Sequence, residues 1–292
     1  MMLFKRSTVT DLLIVVLVPL VFMTTLGLFS AVRPRKLASS VNPDHFDLRF
    51  ENVSLVTEDR VKLAGWYIPK QGDTTDSTII VLHGYPTDKG DMLARTKFLV
   101  DDFNLLLLDF RYFGESEGSH TTVGVKEAED LTAAVRYLEG KGTRKIGVYG
   151  ISMGGAVALM GLDDPGLAID AVAAEASYAD LKMMTQEVFK YLGPLGTPLT
   201  FASELIAGLV LGVSLEQVSP VRAVRGTDKP VLLIHSREDK LVGFENAERI
   251  KESLAENPDA QYLFFETGDH GQASVEFAEV VGGFFRKHLS ND

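Results

Sequence analysis

The chain has 292 residues, 46% hydrophobic and 24% charged, which suits one large α/β domain or two small ones and excludes disorder, collagen or coiled coil as the main architecture. It contains no Cys, so a disulfide scaffold, a Cys-ligated zinc or iron–sulfur site and a cysteine nucleophile are excluded. The net charge of −11 is uneven: residues 1–40 hold five basic side chains against Asp11, the remainder 24 basic against 39 acidic, and so acidic a body argues against nucleic acid as a partner.

In chain order, residues 12–32 (LLIVVLVPLVFMTTLGLFSAV) come first, 21 residues without a charge. As a helix they span about 31 Å, close to the ~30 Å hydrocarbon core of a bilayer, and are expected to form a single N-terminal membrane anchor. A cleaved signal peptide fits less well, because cutting after Ala31 puts Phe29 at −3 and cutting after Ala38 puts Lys36 there. A buried core helix fits less well too, because no polar stripe faces water. Lys5 and Arg6 on one side and Arg33, Arg35 and Lys36 on the other leave the side of the membrane open.

Residues 1–40 are therefore read as anchor and linker, and 41–292 as the folded domain. Segments 46–56 and 61–68 read as an antiparallel hairpin about the turn Thr57-Glu58-Asp59-Arg60. Strands are expected at 77–82 (STIIVL), 103–110 (FNLLLLDF), 145–149 (KIGVY), 171–174, 230–235 (PVLLIH) and 261–266 (QYLFFE). Helices are expected at 91–100, 121–139, 152–162, 246–256 and 274–288. This alternation implies an α/β fold, a mostly parallel central sheet with helices on both faces. Residues 178–224 break the rhythm, being apolar and without a strand candidate, and read as a helical cap inserted over one end of the sheet.

Gly150-Ile151-Ser152-Met153-Gly154 matches G-x-S-x-G. Composition alone produces such a match readily, but here it follows the strand KIGVY and opens the small-residue helix GGAVALMGL. That is the strand–turn–helix of a nucleophile elbow. Gly150 and Gly154 are the elbow glycines, at positions where a side chain would collide with the turn or the neighbouring strand.

A serine hydroxyl needs a base. Of six His, His270 in Thr267-Gly268-Asp269-His270-Gly271 follows the last strand, at the carboxyl edge where Ser152 sits. His288 lies at a helix C-terminus, His45 and His120 in loops, and His235 in a strand as a core residue. The imidazole needs an orienting carboxylate. Asp239, just past PVLLIH, is best placed. Glu238 points away from it, Asp269 is too close in sequence to reach the ring, and Asp109 has Arg111 nearby as a local ion-pair partner. An oxyanion hole needs two N–H donors. Met153 supplies one, and Tyr85 in Leu82-His83-Gly84-Tyr85-Pro86 the other, since Pro86 has no N–H.

The pieces LHGYP, LDFRYFGESEG, VYGISMGG, LLIHSREDKLV and GDHG, in this order over about residues 47–288, resemble the α/β-hydrolase superfamily of serine hydrolases. The stretch DFRYFGES looks like its serine aminopeptidase-like and membrane-anchored α/β-hydrolase-domain subgroup. The resemblance implies a Ser152–Asp239–His270 triad with oxyanion donors Tyr85 and Met153, and hydrolysis of an ester, thioester or amide through an acyl-enzyme. The substrate expected is a small-molecule or lipid-like acyl compound at a membrane; no cofactor and no metal are needed. Dehalogenases and epoxide hydrolases of the superfamily are disfavoured, because they carry Asp at the elbow. The rival reading is a catalytically silent hydrolase-like domain that binds a membrane partner. It would require a missing triad member.

Overall fold

A computed structural model describes residues 8–290. In chain order it runs α1 (Thr8–Val32), β1 (Glu51–Val56), β2 (Lys62–Ile68), β3 (Ser77–Leu82), α2 (Lys89–Thr96), β4 (Asn104–Leu108), α3 (Glu127–Gly140), β5 (Lys145–Ile151), α4 (Met153–Met160) and β6 (Ala171–Glu175). There follow α5 (Leu181–Phe189), α6 (Gly196–Leu211), α7 (Pro220–Ala223), β7 (Val231–Ser236), α8 (Glu245–Ser253), β8 (Ala260–Phe265) and α9 (Phe277–Leu289).

Eight strands form one sheet in the order β1-β2-β4-β3-β5-β6-β7-β8. The β1–β2 and β2–β4 pairings are antiparallel and all the others parallel. The unbroken apolar runs explain the centre. Every residue of β3 and β4 is buried, as a strand covered on both faces requires. Their side chains alternate between two layers. Ile80, Leu82, Leu106 and Leu108 join α3, α4 and α8 on one face. Ile79, Val81, Leu105 and Leu107 join α2 and α9 on the other. Truncating one such leucine to alanine costs about 2–5 kcal/mol.

The parallel strands β3 to β8 all end at one rim, where ligands of open α/β sheets bind. The segment 178–224 is helical and without a strand, and its Leu181, Met184, Ala207 and Val213 share a cavity with Ser152. Helix α1 lies against α6.

Three expectations are corrected. The helix expected from 121 begins at Glu127, because the Glu127 carboxylate first gathers the preceding loop. It accepts from Thr121 Oγ1 at 2.7 Å, Thr122 Oγ1 at 2.8 Å and Gly124 N at 2.7 Å. The strand expected from 46 begins at Glu51, and Pro43–Phe46 form a turn of 3₁₀ helix. Asp109 does not pair with Arg111; its oxygens accept from Lys89 N, Lys89 Nζ and Glu115 N at 2.6–2.9 Å, while Arg111 bonds Asp130 and Asp59. Several of the first side chains of α1 lie outside the description, as do Lys5 and Arg6. Among the described residues no single helix is long and apolar enough to cross a membrane, the apolar stretch of α1 being Val21–Val32. The described residues thus do not support the anchor expected over 12–32.

Candidate active site

β5 leads into Ser152, which has φ 55° and ψ −116°. A serine at positive φ is strained by about 1–3 kcal/mol and persists only where its surroundings over-determine it. Here they do. Ser152 N donates to Glu175 O at 2.8 Å, and Ser152 O accepts Ala156 N at 3.0 Å inside the following helix. A Cβ on Gly154 would fall 2.5 Å from Leu82 O and 2.7 Å from His83 O, so the start of α4 is pressed onto the end of β3. A Cβ on Gly150 would collide with the Gly154 carbonyl. Both glycines are thus required by close approach of backbone to backbone.

This approach brings the loop after β3 to the serine: a Cβ on Gly84 would lie 3.3 Å from Ser152 Cβ. Tyr85 follows directly. Its N–H, like that of Met153 in the first turn of α4, donates to no protein acceptor among the described residues. The loop is fixed from below by His83, which is fully buried. Phe110 N donates to His83 Nε2 at 3.0 Å, so the ring proton sits on Nδ1 and is donated to Gly84 O at 2.7 Å. Burial pushes the His83 pKa down and keeps it neutral, as this pair of bonds requires.

Asp239 and His270 meet across 31 residues, His270 Nδ1 to Asp239 Oδ2 at 2.7 Å. The other carboxylate oxygen accepts Leu241 N and Val242 N, each at 2.9 Å. Burial pushes the Asp239 pKa up, but the bond from His270 and the two N–H groups outweigh it and the net shift is downward. The carboxylate holds the proton on Nδ1 and leaves Nε2 free to accept one. The His270 loop abuts the elbow, since a Cβ on Gly271 would lie 2.9 Å from Ile151 Cδ1. Ser152 Oγ makes no hydrogen bond among the described residues. Such contacts are often long before substrate binds.

His235 is a core residue satisfied on one side only. Its Nε2 bonds Val242 O at 2.8 Å, while Nδ1 is buried without a partner. Burial lowers its pKa.

One cluster is not foreshadowed by the sequence. Arg95 of α2 passes beneath the elbow. It donates to the Glu175 carboxylate, to Tyr149 Oη at 2.8 Å and to Gly271 O at 2.8 Å. Glu175 is the residue whose carbonyl holds Ser152 N, and Gly271 follows His270. One guanidinium therefore braces both the nucleophile turn and the histidine loop. Burial alone would lower the Arg95 pKa, but its partners raise it, so it stays charged. The partners are 80 and 176 residues away, beyond any local sequence signal.

An apolar cavity of about 420 Å³ opens over Ser152 and Met153, with Met184, Val188, Ala207 and Leu211 among its walls. Among the described residues there is no group of three or more His, Asp or Glu able to hold a metal ion.

A parallel sheet with an antiparallel start, a serine on a strained strand-to-helix turn and a histidine bonded to a buried aspartate at the same rim define a hydrolase of the α/β fold. Comparison with known proteins agrees. The model of the prolyl oligopeptidase family matches residues 116–292, a stretch that contains Ser152, Asp239 and His270 but not Tyr85. The uncharacterized protein YqkD of Bacillus subtilis is 31% identical over 224 residues, 74% of this chain and 72% of YqkD. Protein bem46 of Schizosaccharomyces pombe is 28% identical over 207 residues, 68% of this chain and 64% of bem46. Among solved structures, the Pyrococcus furiosus esterase Pf2001 superposes with a TM-score of 0.74 at 28% identity, over 89% of this chain and 100% of that one. The chain belongs to the prolyl oligopeptidase family.

Proposed function

We propose that the protein hydrolyses a carboxylic ester, or a related thioester or amide, through an acyl-enzyme on Ser152. The supporting observation is the Asp239–His270 hydrogen bond at 2.7 Å, at the rim where Ser152 sits on its strained turn beside Gly84. His270 Nε2 takes the Ser152 proton as Oγ attacks the carbonyl carbon, and Asp239 stabilises the imidazolium. The oxyanion accepts the N–H groups of Met153 and Tyr85. His270 returns its proton to the leaving group, and water activated by the same imidazole releases the acid. An ester is favoured because the relative Pf2001 is an esterase.

In this reading residues 41–292 are the catalytic domain and 178–224 its cap. The uncharged run 12–32 attaches the chain to a bilayer, an attachment that resistance to carbonate extraction from membranes would test. The central test is labelling by a fluorophosphonate probe. The wild-type protein is expected to be labelled and Ser152→Ala not at all. Equal labelling of both would refute the assignment.

A further inference from the structure

We propose that the end of helix α1 is a wall of the substrate pocket, and that this pocket takes the hydrocarbon chain of an acyl ester. The inference deepens the acyl-enzyme reading and rests on it.

The first observation is where α1 ends. Gly27, Leu28, Ala31 and Val32 line the cavity over Ser152, facing α5 and α6 across it. The second is how firmly that end is held. Tyr85 Oη donates to Ala31 O at 2.9 Å, Thr121 N to Val32 O at 2.9 Å, and Tyr112 Oη to Pro34 O at 2.7 Å. Arg33 Nε donates to Ser119 O at 3.1 Å. Carbonyls at and just past the end of a helix have no partner within it, and here the loops around the active site satisfy them. Tyr85 joins the two roles. Its N–H is the proposed oxyanion donor and its hydroxyl holds α1.

The third observation is the chemistry of the lining. No charged side chain contributes to it. Its polar groups are largely committed elsewhere: Thr122 Oγ1 to Glu127 at 2.8 Å, Thr185 Oγ1 to Leu181 O at 2.9 Å, and Tyr178 Oη to Val123 O at 3.0 Å. A peptide would bring N–H and C=O groups with nothing to pair them, at a cost of about 1–3 kcal/mol each. An alkyl chain brings none. The volume of about 420 Å³ falls within the range of small-molecule sites.

Gly27 provides the test. Gly27 borders the cavity and a Cβ there would meet nothing within 4 Å, so a larger side chain is accommodated there without a collision at its base. Gly27→Phe and Ala31→Phe, each in the whole chain in detergent, are compared with wild type on p-nitrophenyl acetate and p-nitrophenyl decanoate. Blocking several methylenes is expected to lower the decanoate-to-acetate ratio of kcat/KM by about tenfold or more. Thermal melting reports that each variant is folded. If both phenylalanine variants leave the decanoate unaffected, or lower the two esters equally, α1 is not a wall of the acyl site. Fluorophosphonate labelling of Ser152 would survive that outcome. A wild-type protein that is not labelled would instead remove the acyl-enzyme reading itself.

Discussion

Asp239→Asn is the sharpest probe of the catalytic assignment, because the surroundings dictate how the new amide must lie. In the native protein one carboxylate oxygen accepts Leu241 N and Val242 N, both at 2.9 Å, and the other accepts His270 Nδ1 at 2.7 Å. An asparagine must turn its carbonyl to the two N–H donors, since the NH₂ group there would set donor against donor. Its NH₂ then faces His270, whose Nδ1 must become an acceptor. The ring proton moves to Nε2, the nitrogen that has to receive the Ser152 proton. A shift to this wrong tautomer costs about 10⁴ in kcat, or about 5 kcal/mol of barrier at 1.36 kcal/mol per tenfold. Stability should fall by no more than about 3 kcal/mol, the worth of one hydrogen bond to a charged group. Steady-state kcat on p-nitrophenyl acetate, read beside thermal melts, separates the two effects. If a well-folded Asp239→Asn retains more than about a tenth of wild-type kcat, Asp239 does not set the tautomer of His270 and the mechanism as drawn is wrong.

Two further outcomes follow from groups around the same rim. Removing the guanidinium in Arg95→Met leaves Glu175, 2% exposed, without its buried ionic partner, which costs about 3–5 kcal/mol. At about 2–4 °C per kcal/mol for a domain of this size the melting temperature drops by roughly 10 °C, and Arg95→Met/Glu175→Gln recovers part of the loss; a shift of less than about 2 °C would show that the brace carries no weight. The pH dependence of stability has a definite sign. The Asp239 pKa is lowered on folding, so its contribution is complete above the unfolded value of about 4 and is lost as pH falls through the lower folded value. The gap in melting temperature between wild type and Asp239→Asn is therefore expected to be widest above about pH 4 and to close on further acidification; a gap that widens in acid would contradict the stated bonding.

The sheet was legible wherever one strand's residues decided its environment. STIIVL and FNLLLLDF are apolar on both faces because both faces are covered, and no distant partner needs to be known to see it. The elbow was legible for a similar reason: its glycines, serine and flanking strand are contiguous. The start of α3 was not, because Thr121 and Thr122 look like helix residues until the Glu127 carboxylate is seen to collect them. Asp109 was paired with the wrong cation, because sequence proximity to Arg111 outweighed a lysine 20 residues away. Arg95 and the end of α1 were invisible as parts of the site. Their partners lie 54 to 176 residues away, and only the folded rim brings them together.

The elbow meets β3 through main-chain atoms, Gly154 against the carbonyls of Leu82 and His83. Its fit is consequently indifferent to which aliphatic residues fill the layers above and below, provided the path of the chain is kept. Sequence drift across the interior can thus be wide while the reaction geometry is inherited unchanged, whereas a single added methyl at Gly154 would wedge the helix from the strand and part the nucleophile from its proposed oxyanion donor on the other side, Tyr85, at one stroke.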